Sequence, residues 1–369
     1  MFKKLWDAAL KRMHRWASCE LAGLNRLPPT LVNENQPANT IAGEPSDYEQ
    51  RIEQEKASYR DCLNVHDLPR IAAYWHERHL LPKFQHFGIT HPGEIFEVEI
   101  SKRCASNANV NQVLSIGSGN CDLEVKLAAF LKSHGHSNFL IECLDLNPAM
   151  LARGAVLAGE YNVSEHIRLT ECDFNDWQPE QEYDVIVASQ SLHHVVKLEA
   201  LLDGAKRSLK HDGYFLVSDM IGRNGHMRWP EALEIVHEFW RQLPGGYRYN
   251  HQLRRYEDLF ENWDCSQEGF EGIRSQDILP LLIERFQFEM FLAFGNVIDP
   301  FVDRSFGHNF RPETDWDRNF IDRVNERDEA ELTSGTIKPT HLVAVMRRSV
   351  VGPMRYLPPM TPEFALRRT

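Results

Sequence analysis

The chain has 369 residues, of which 42% are hydrophobic, so it can bury a core larger than one minimal domain needs. Its formal net charge is −12 and its sequence pI is ≈ 5.8, which disfavours a protein that grips nucleic-acid phosphates through a basic surface. Seven cysteines, an odd number without metal-like pairing, favour reduced thiols and a cytoplasmic enzyme over a disulfide-bonded secreted one.

Residues 1–17 predict an amphipathic helix with aromatic and aliphatic side chains on one face and basic side chains on the other. Such a helix suits peripheral contact with an anionic membrane at its inner face, docking on the protein itself, or a loose tail, and the sequence leaves these alternatives open. Residues 1–45 are therefore interpreted as this helix and a linker. Residues 46–105 are interpreted as a helical lid that begins with a capping box, Ser46 to Glu49.

The segment Asn111–Glu124 predicts a strand, a glycine turn at Gly117 and Gly119, and a helix. Glycine suits a turn where a ligand must approach the backbone closely. The third glycine of a dinucleotide-binding loop is replaced by Asp122, whose carboxylate disfavours a pyrophosphate. The Asp122 carboxylate suits instead a ligand that carries an amino group and a sulfonium, such as S-adenosylmethionine. The predicted contacts in this loop are Gly117, Ser118, Gly119 and Asn120.

Two further strand ends carry acidic residues. Asp145 and Leu146 follow the predicted strand Phe139–Leu144, where a carboxylate is placed to bind both ribose hydroxyls. Asp173 and Phe174 follow the next strand and can accept from an adenine amino group and pack on its ring. A fourth strand, Tyr183–Ala188, leads to Gln190, another candidate cofactor contact, and a fifth begins at Tyr214.

These motifs, in this order and spacing, resemble the class I S-adenosylmethionine-dependent methyltransferases, from Asn111 to Asp219 and more loosely to Arg348. The run Gly119–Glu124 and Trp229-Pro230 are also similar to bacterial methyltransferases found with glycan-assembly genes. The resemblance implies S-adenosylmethionine as the cofactor. It also implies an α/β fold with a Rossmann-like, seven-stranded, mostly parallel sheet, helices on both faces, a helical N-terminal lid and an insertion after the fifth strand.

The resulting domain organisation places the cofactor-binding core at 106–222 and an acceptor-binding insertion with the sixth strand at 223–315. The last helix and strand of the core occupy 316–349. The last strand is expected to run antiparallel beside the sixth. Residues 350–369 are expected to form a loose C-terminal tail.

Two adjacent histidines follow the fourth strand, at the sheet edge where ligands of such folds bind. His194 and His193 are the candidate catalytic bases, because histidine titrates near neutral pH. His194 best matches the family's catalytic position. A structural role, such as capping the next helix, is the alternative. No metal site is expected, since Asp219 alone does not make one.

The candidate acceptor contacts are Asp219, Arg223, His226, Arg228 and Trp229. The predicted function is O-methylation of a small-molecule or glycan hydroxyl, with no nucleic-acid partner. Two alternatives remain at this point. One is N-methylation of an amine metabolite, which an acidic, aromatic acceptor pocket would favour, and the other is a protein that binds S-adenosylmethionine without catalysis.

Overall fold

A computed structural model of the chain describes residues 47–60, 68–267, 269–349 and 352–367. The predicted amphipathic helix at 1–17 and the linker to residue 45 lie outside the described residues. The main sheet contains eight strands: β1 Asn111–Ile116, β2 Phe139–Asp145, β3 Ile167–Glu171, β4 Tyr183–Ser189, β5 Leu209–Met220, β8 Gln287–Phe294, β9 His341–Arg347 and β10 Arg355–Tyr356. A separate two-stranded hairpin consists of β6 Tyr249–Asn250 and β7 Arg255–Tyr256.

The strand order across the sheet is β10-β8-β9-β5-β4-β1-β2-β3. The strands from β1 to β5 pair in parallel, and β9 lies antiparallel between β5 and β8. This arrangement confirms the predicted Rossmann-like sheet and the antiparallel last strand. The strand count differs by one, because β10 adds a parallel edge strand beside β8.

Alternate residues of the central strands point to opposite faces, as the two-residue period of a strand requires. Val113 and Val185 lie in one hydrophobic cluster, whereas Leu114 and Ile186 lie in the other. Helices cover both clusters, which is the layered packing expected of a buried parallel sheet. The longer helices are α1 Asp47–Arg60, α4 Glu94–Ser106, α5 Asp122–Ser133, α6 Pro148–Glu160, α7 Leu198–Ser208, α8 Pro230–Trp240, α9 Ser275–Arg285 and α11 Asp315–Ser334.

Four short helices complete the set: α2 Arg70–Trp75, α3 Leu81–His86, α10 Asp299–Val302 and α12 Pro362–Ala365. A π-helical turn, His76–Leu80, joins α2 to α3. Among the described helices, none combines the length and the apolar composition that crossing a bilayer requires.

The C-terminal tail departs from the expectation of a loose segment. Its residues Arg355 and Tyr356 pair with Met290 and Phe291 of β8, and α12 follows. Lys338 holds α12 by donating to the Phe364 carbonyl oxygen at 2.8 Å. The edge of β8 offered unpaired backbone groups, and the tail satisfies part of them.

Candidate active site

The glycine loop after β1 is tight because two of its glycines adopt left-handed backbone angles. Gly117 has φ +69° and Gly119 has φ +56°. A Cβ on Gly117 would lie 2.5 Å from the Cβ of Ser191, so the loop packs directly on the segment that follows β4. Glycine is therefore required at Gly117 for both conformation and space.

The Asp145 carboxylate at the end of β2 ties this loop to the next one. It accepts from the Gly119 backbone N–H at 2.6 Å and from the Asn147 backbone N–H at 2.9 Å, and it is buried. A carboxylate offers about four acceptor positions. Asp145 can therefore accept from more donors than these two backbone groups.

The carboxylate at the end of β3 contacts the lid helix. Asp173 accepts from the Tyr48 hydroxyl of α1 at 2.6 Å and from the Asn175 backbone N–H at 2.9 Å. The Asn147 side chain donates to the Lys56 carbonyl oxygen at 3.3 Å. Helix α1 thus lies across the ends of β2 and β3.

A pocket lies between α1 and these strand ends, and we name it the cofactor crevice. Four predicted cofactor contacts line it: Asp145, Leu146, Asp173 and Phe174. His194, predicted as a catalytic base, lines it as well. Sequence reasoning missed six others: Glu55, Lys56, Asn147, Met150, Asn175 and Phe270. The buried Asp145 and the half-buried Asp173 lie beside the apolar side chains of Phe174 and Met150. Hydrogen-bond acceptors next to apolar side chains are the kind of lining that a ribose and an adenine ring require.

The remaining predicted cofactor contacts lie beside this crevice. Gly117, Ser118, Gly119 and Asn120 form the loop that holds Asp145, and Asn120 accepts from Arg153 at 2.8 Å. Gln190 lines a different pocket, described below. It adopts φ +55°, a strained conformation for a residue other than glycine, of the kind that concentrates at functional sites.

Asp219 at the end of β5 organises the turn that carries the histidine pair. Its carboxylate accepts from the backbone N–H groups of Ser191 at 2.9 Å and Leu192 at 2.8 Å. The other oxygen lies 2.5 Å from Nδ1 of His193. Asp219, predicted as an acceptor contact, is instead fully buried behind His193. Its position orients the His193 ring so that Nε2 faces away from β5.

Three imidazoles converge on Glu271, and we name His193, His194, His226 and Glu271 the histidine cluster. Nε2 of His193 lies 3.5 Å from Oε1 of Glu271, and Nε2 of His194 lies 3.4 Å from Oε2. Nε2 of His226 contacts Oε1 directly. On its other side, Nδ1 of His194 lies 3.2 Å from Glu55 of α1. The cluster therefore links the ends of β4 and β5, the lid helix and the insertion.

The electrostatics of the cluster follow from its buried carboxylates. Burial disfavours the charged form of His193, yet Asp219 and Glu271 together raise its pKa to about 10. Burial also opposes the charge on Glu271, but His194 and His226 hold its pKa well below the usual range. His193 thus keeps its proton at neutral pH, and Glu271 stays ionised.

A second pocket, the inner pocket, opens on the other side of the cluster. His193, His226 and Glu271 form part of its wall, and Gln190 and Arg228 also line it. Arg228 is buried and pairs with Asp299 at 3.0 Å. Further lining residues that sequence reasoning missed are Met220, Gln252, Phe260, Asp299, Pro300, Asp303, Arg304 and His341.

The inner pocket continues into an outer pocket, with which it shares five lining residues: His226, Gln252, Phe260, Glu271 and Asp303. The outer pocket is acidic and aromatic. Its carboxylates include Glu257, Glu261 and Asp264, and its rings include Phe260, Trp263 and Phe306.

Arg223 and Trp229, also predicted as acceptor contacts, pack on each other away from these pockets. The Arg223 guanidinium lies 5.3 Å from the Trp229 ring centre, and Arg367 of the C-terminal tail lies 4.4 Å from the same ring. The structure therefore brings His226 and Arg228 to the inner pocket, whereas Arg223 and Trp229 fasten the tail.

Glu271 is the main residue that sequence reasoning missed, and two glycines mark its position. Gly269 and Gly272 adopt φ +61° and +63°. A Cβ on Gly272 would lie 3.1 Å from the Gly225 backbone nitrogen, and Gly225 donates to the Gly272 carbonyl oxygen at 2.9 Å. In the sequence, the glycines on either side of Glu271 indicate that the backbone here lies close to another segment. The sequence does not show which segment that is.

One segment of the chain matches a known protein family. Residues 114–215 match the family model described as a methyltransferase domain. No curated protein matches the chain. The matched segment runs from β1 into β5 and contains the glycine loop, both strand-end carboxylates of the cofactor crevice and the two adjacent histidines.

Several solved structures are similar at low identity. An O-methyltransferase from a trans-AT PKS multienzyme of Brevibacillus brevis, in complex with S-adenosyl-L-homocysteine, is 14% identical, with a TM-score of 0.40 over 76% of this chain and 80% of that chain. The N-methyltransferase NodS from Bradyrhizobium japonicum is 12% identical, with a TM-score of 0.36 over 69% and 88%. The DhpI–SAH complex is 14% identical, with a TM-score of 0.36 over 82% and 98%. These similarities carry no argument about the acceptor.

Proposed function

We propose that this chain, which carries a class I S-adenosylmethionine-dependent methyltransferase domain, methylates a hydroxyl oxygen of a small-molecule or glycan acceptor with a histidine as the base. The single observation that carries the proposal is the position of the histidine cluster. His194 lines the cofactor crevice, and His193 lines the inner pocket. The two adjacent histidines therefore separate the two pockets, and His194, the proposed proton acceptor, lies on the cofactor side.

Each half of the site has a defined task. When bound, the cofactor supplies an electrophilic methyl group on a sulfonium. Asp145 and Asp173 accept hydrogen bonds at the ends of β2 and β3, and they would hold its ribose and adenine. The inner pocket, behind His193 and His226, receives the acceptor. Positioning of the two partners supplies up to about 7–11 kcal/mol of rate enhancement in such reactions.

We assign the role of base to His194, because the imidazoles of His193 and His226 are engaged by neighbouring carboxylates. The raised pKa of His193 keeps it protonated between Asp219 and Glu271, and Nε2 of His226 is bound to Glu271. His194 lies 3.4 Å from Glu271 and 3.2 Å from Glu55, so carboxylates stand on both sides of its ring. They would stabilise the imidazolium that forms when it takes the hydroxyl proton.

The test is turnover and cofactor affinity of His194→Ala with labelled S-adenosylmethionine and a panel of hydroxylated acceptors. A lost base lowers turnover by roughly 100-fold or more, while affinity for S-adenosylhomocysteine stays within about twofold. His134→Ala, at an exposed position, is the matched control and keeps full turnover.

Added imidazole distinguishes a base from a structural histidine, because it can occupy the space that the buried ring leaves. Partial recovery of turnover in His194→Ala supports the assignment. A variant with near-normal turnover, or one whose loss comes entirely from weaker cofactor binding, contradicts it.

A second candidate, N-methylation of an amine, is favoured by the outer pocket. Glu257, Glu261 and Asp264 would attract a cationic group, and Phe260 and Trp263 offer aromatic faces to it. Amines and their hydroxyl analogues, compared as acceptors with the same labelled cofactor, separate the two functions. Transfer of the labelled methyl group to the amines but not to their hydroxyl analogues, with His194→Ala nearly as active as wild type, would favour N-methylation.

A further inference from the structure

The histidine cluster presents a set of atoms that suits a metal ion as well as a proton. The side-chain ligand atoms of His193, His226 and Glu271 all lie within 4.8 Å of one another. Two imidazole nitrogens and one carboxylate oxygen form the ligand set of many zinc and non-haem iron sites. We propose that His193, His226 and Glu271 bind a divalent transition metal ion of the zinc or iron type at the wall of the inner pocket.

The residue behind His193 is an independent observation in favour of a metal. Asp219 lies 2.5 Å from Nδ1 of His193 and is fully buried, so it holds the ring with Nε2 directed at Glu271. A carboxylate on the far nitrogen of a histidine is the common support of a metal ligand, because it sets the tautomer and the ring orientation. Asp219 is thus a positioning residue for the proposed site.

Charge balance points in the same direction. Asp219 and Glu271 are two carboxylates with almost no exposure, and buried charges must be compensated. One divalent cation, bound at Nε2 of His193, Nε2 of His226 and the Glu271 carboxylate, can supply that compensation.

The three ligands also leave an open side. All of them line the inner pocket, so the remaining coordination positions face the space where the acceptor is proposed to bind. Metal sites that act on substrates keep such a position open. The role rests on the proposed function: the ion would bind and polarise the acceptor oxygen, and His194, outside the three ligands, stays available as the base.

The experiment is metal binding by the full chain, stripped with a chelator and then titrated with Zn²⁺ or Co²⁺ alone. We expect one ion per chain and a visible Co²⁺ spectrum of nitrogen and oxygen coordination. Mg²⁺ is expected to bind at least 100-fold more weakly, because imidazole ligands suit the transition metals. Glu271→Gln and His226→Ala should each weaken Zn²⁺ binding by at least 100-fold, and Asp219→Asn by about 10- to 100-fold.

Controls separate this site from others. His134→Ala, at an exposed histidine, should bind Zn²⁺ as wild type does. Cys143→Ser tests a second group of ligand atoms, from Cys121, Glu124 and Cys143 behind the glycine loop. Binding that survives Glu271→Gln but is lost in Cys143→Ser overturns the proposal, as does a wild-type chain that binds neither Zn²⁺ nor Co²⁺ stoichiometrically.

Binding of S-adenosylhomocysteine, measured on the same samples, confirms that each variant is folded and keeps the cofactor crevice. The metal proposal is judged by ion stoichiometry and the proposed function by methyl transfer. A chain that binds one ion without methylating any acceptor therefore contradicts only the function, and a chain that methylates without binding an ion contradicts only the metal site.

Discussion

The cofactor crevice and the inner pocket are neighbours built in opposite ways. The crevice takes most of its residues from one stretch, 145–175, in which each strand end and the loop after it supply a contact. The inner pocket takes single residues from distant segments, among them Gln190, His226, Glu271 and His341. The cofactor crevice is thus a local product of strand–loop–helix units. The inner pocket, where we propose that the acceptor binds, depends on how the insertion folds back onto the sheet.

The two regions also differ in charge. The crevice places carboxylates next to apolar side chains such as Phe174, where a neutral ligand face can pack. The inner pocket and its surroundings bury several ionisable groups together, including Asp299, Arg228 and the histidine cluster. Buried ionisable groups are costly unless paired, so their concentration marks the region where chemistry is expected.

The largest effect that separates the two regions is expected from Asp145→Ala. Loss of the ribose acceptor should weaken binding of S-adenosylhomocysteine by roughly 10- to 100-fold, equivalent to about 1.5–3 kcal/mol. Isothermal calorimetry measures it, with Asp145→Asn retaining one acceptor oxygen as the intermediate case. Unchanged affinity in the folded Asp145→Ala variant would show that the crevice does not hold the ribose.

Gly117→Ala probes the point where the two regions touch. The added Cβ would lie 2.5 Å from Cβ of Ser191, so we expect a loss of stability of about 1–3 kcal/mol beyond the cost of the left-handed backbone. Gly135→Ala is the matched control, because Gly135 has φ +82° and nothing within 4 Å of the added Cβ.

Chemical denaturation compares the two glycine variants, and Ser191→Gly in the Gly117→Ala background should restore part of the loss. Equal destabilisation of the Gly117 and Gly135 variants would mean that backbone conformation alone, and not the contact with Ser191, requires glycine in the loop.

Tyr48→Phe tests whether the lid belongs to the cofactor region. It removes the hydrogen bond to Asp173 with little change in shape, at an expected cost of about 0.5–1.5 kcal/mol to docking of α1. Hydrogen exchange of the amides of residues 47–60 should speed up correspondingly. Tyr161→Phe, at an exposed tyrosine, is the control. Equal amide exchange in wild type and Tyr48→Phe would show that this hydrogen bond does not hold α1 against the cofactor crevice.

Asp328→Asn gives the smallest expected effect and concerns the support of the inner pocket. Asp328 is fully buried and accepts from the Val297 N–H at 2.7 Å, and burial raises its pKa well above the ordinary value. Because the folded pKa is raised, this group's contribution to stability is complete below the ordinary carboxyl pKa and is lost as pH rises through the folded value.

Asparagine mimics the protonated acid. The free energy of unfolding of Asp328→Asn should therefore equal that of wild type in acid and exceed it increasingly as pH rises. We expect a difference of about 1 kcal/mol at neutral pH and above. Thermal unfolding of both proteins across the pH range measures it. A constant difference at every pH would mean that Asp328 has no raised pKa.

The sequence alone predicted the fold around the cofactor crevice, for a physical reason. Strand periodicity, the glycine loop and the strand-end acids Asp145 and Asp173 are local features, and the carboxyl ends of parallel strands necessarily meet at one edge. From these followed the Rossmann-like sheet and the antiparallel last strand. The adjacent histidines were also found this way, because they follow β4 at that edge.

Only the tertiary structure decided what surrounds those histidines. Glu271, Glu55 and His226 lie far from them in the chain, and no periodicity links an insertion loop or a lid helix to the end of β4. Arg223 and Trp229 have residue types that suit an acceptor, yet they pack with Arg367 of the tail. Long-range packing chooses among chemically similar side chains, because burial and close approach depend on residues that the local sequence does not contain.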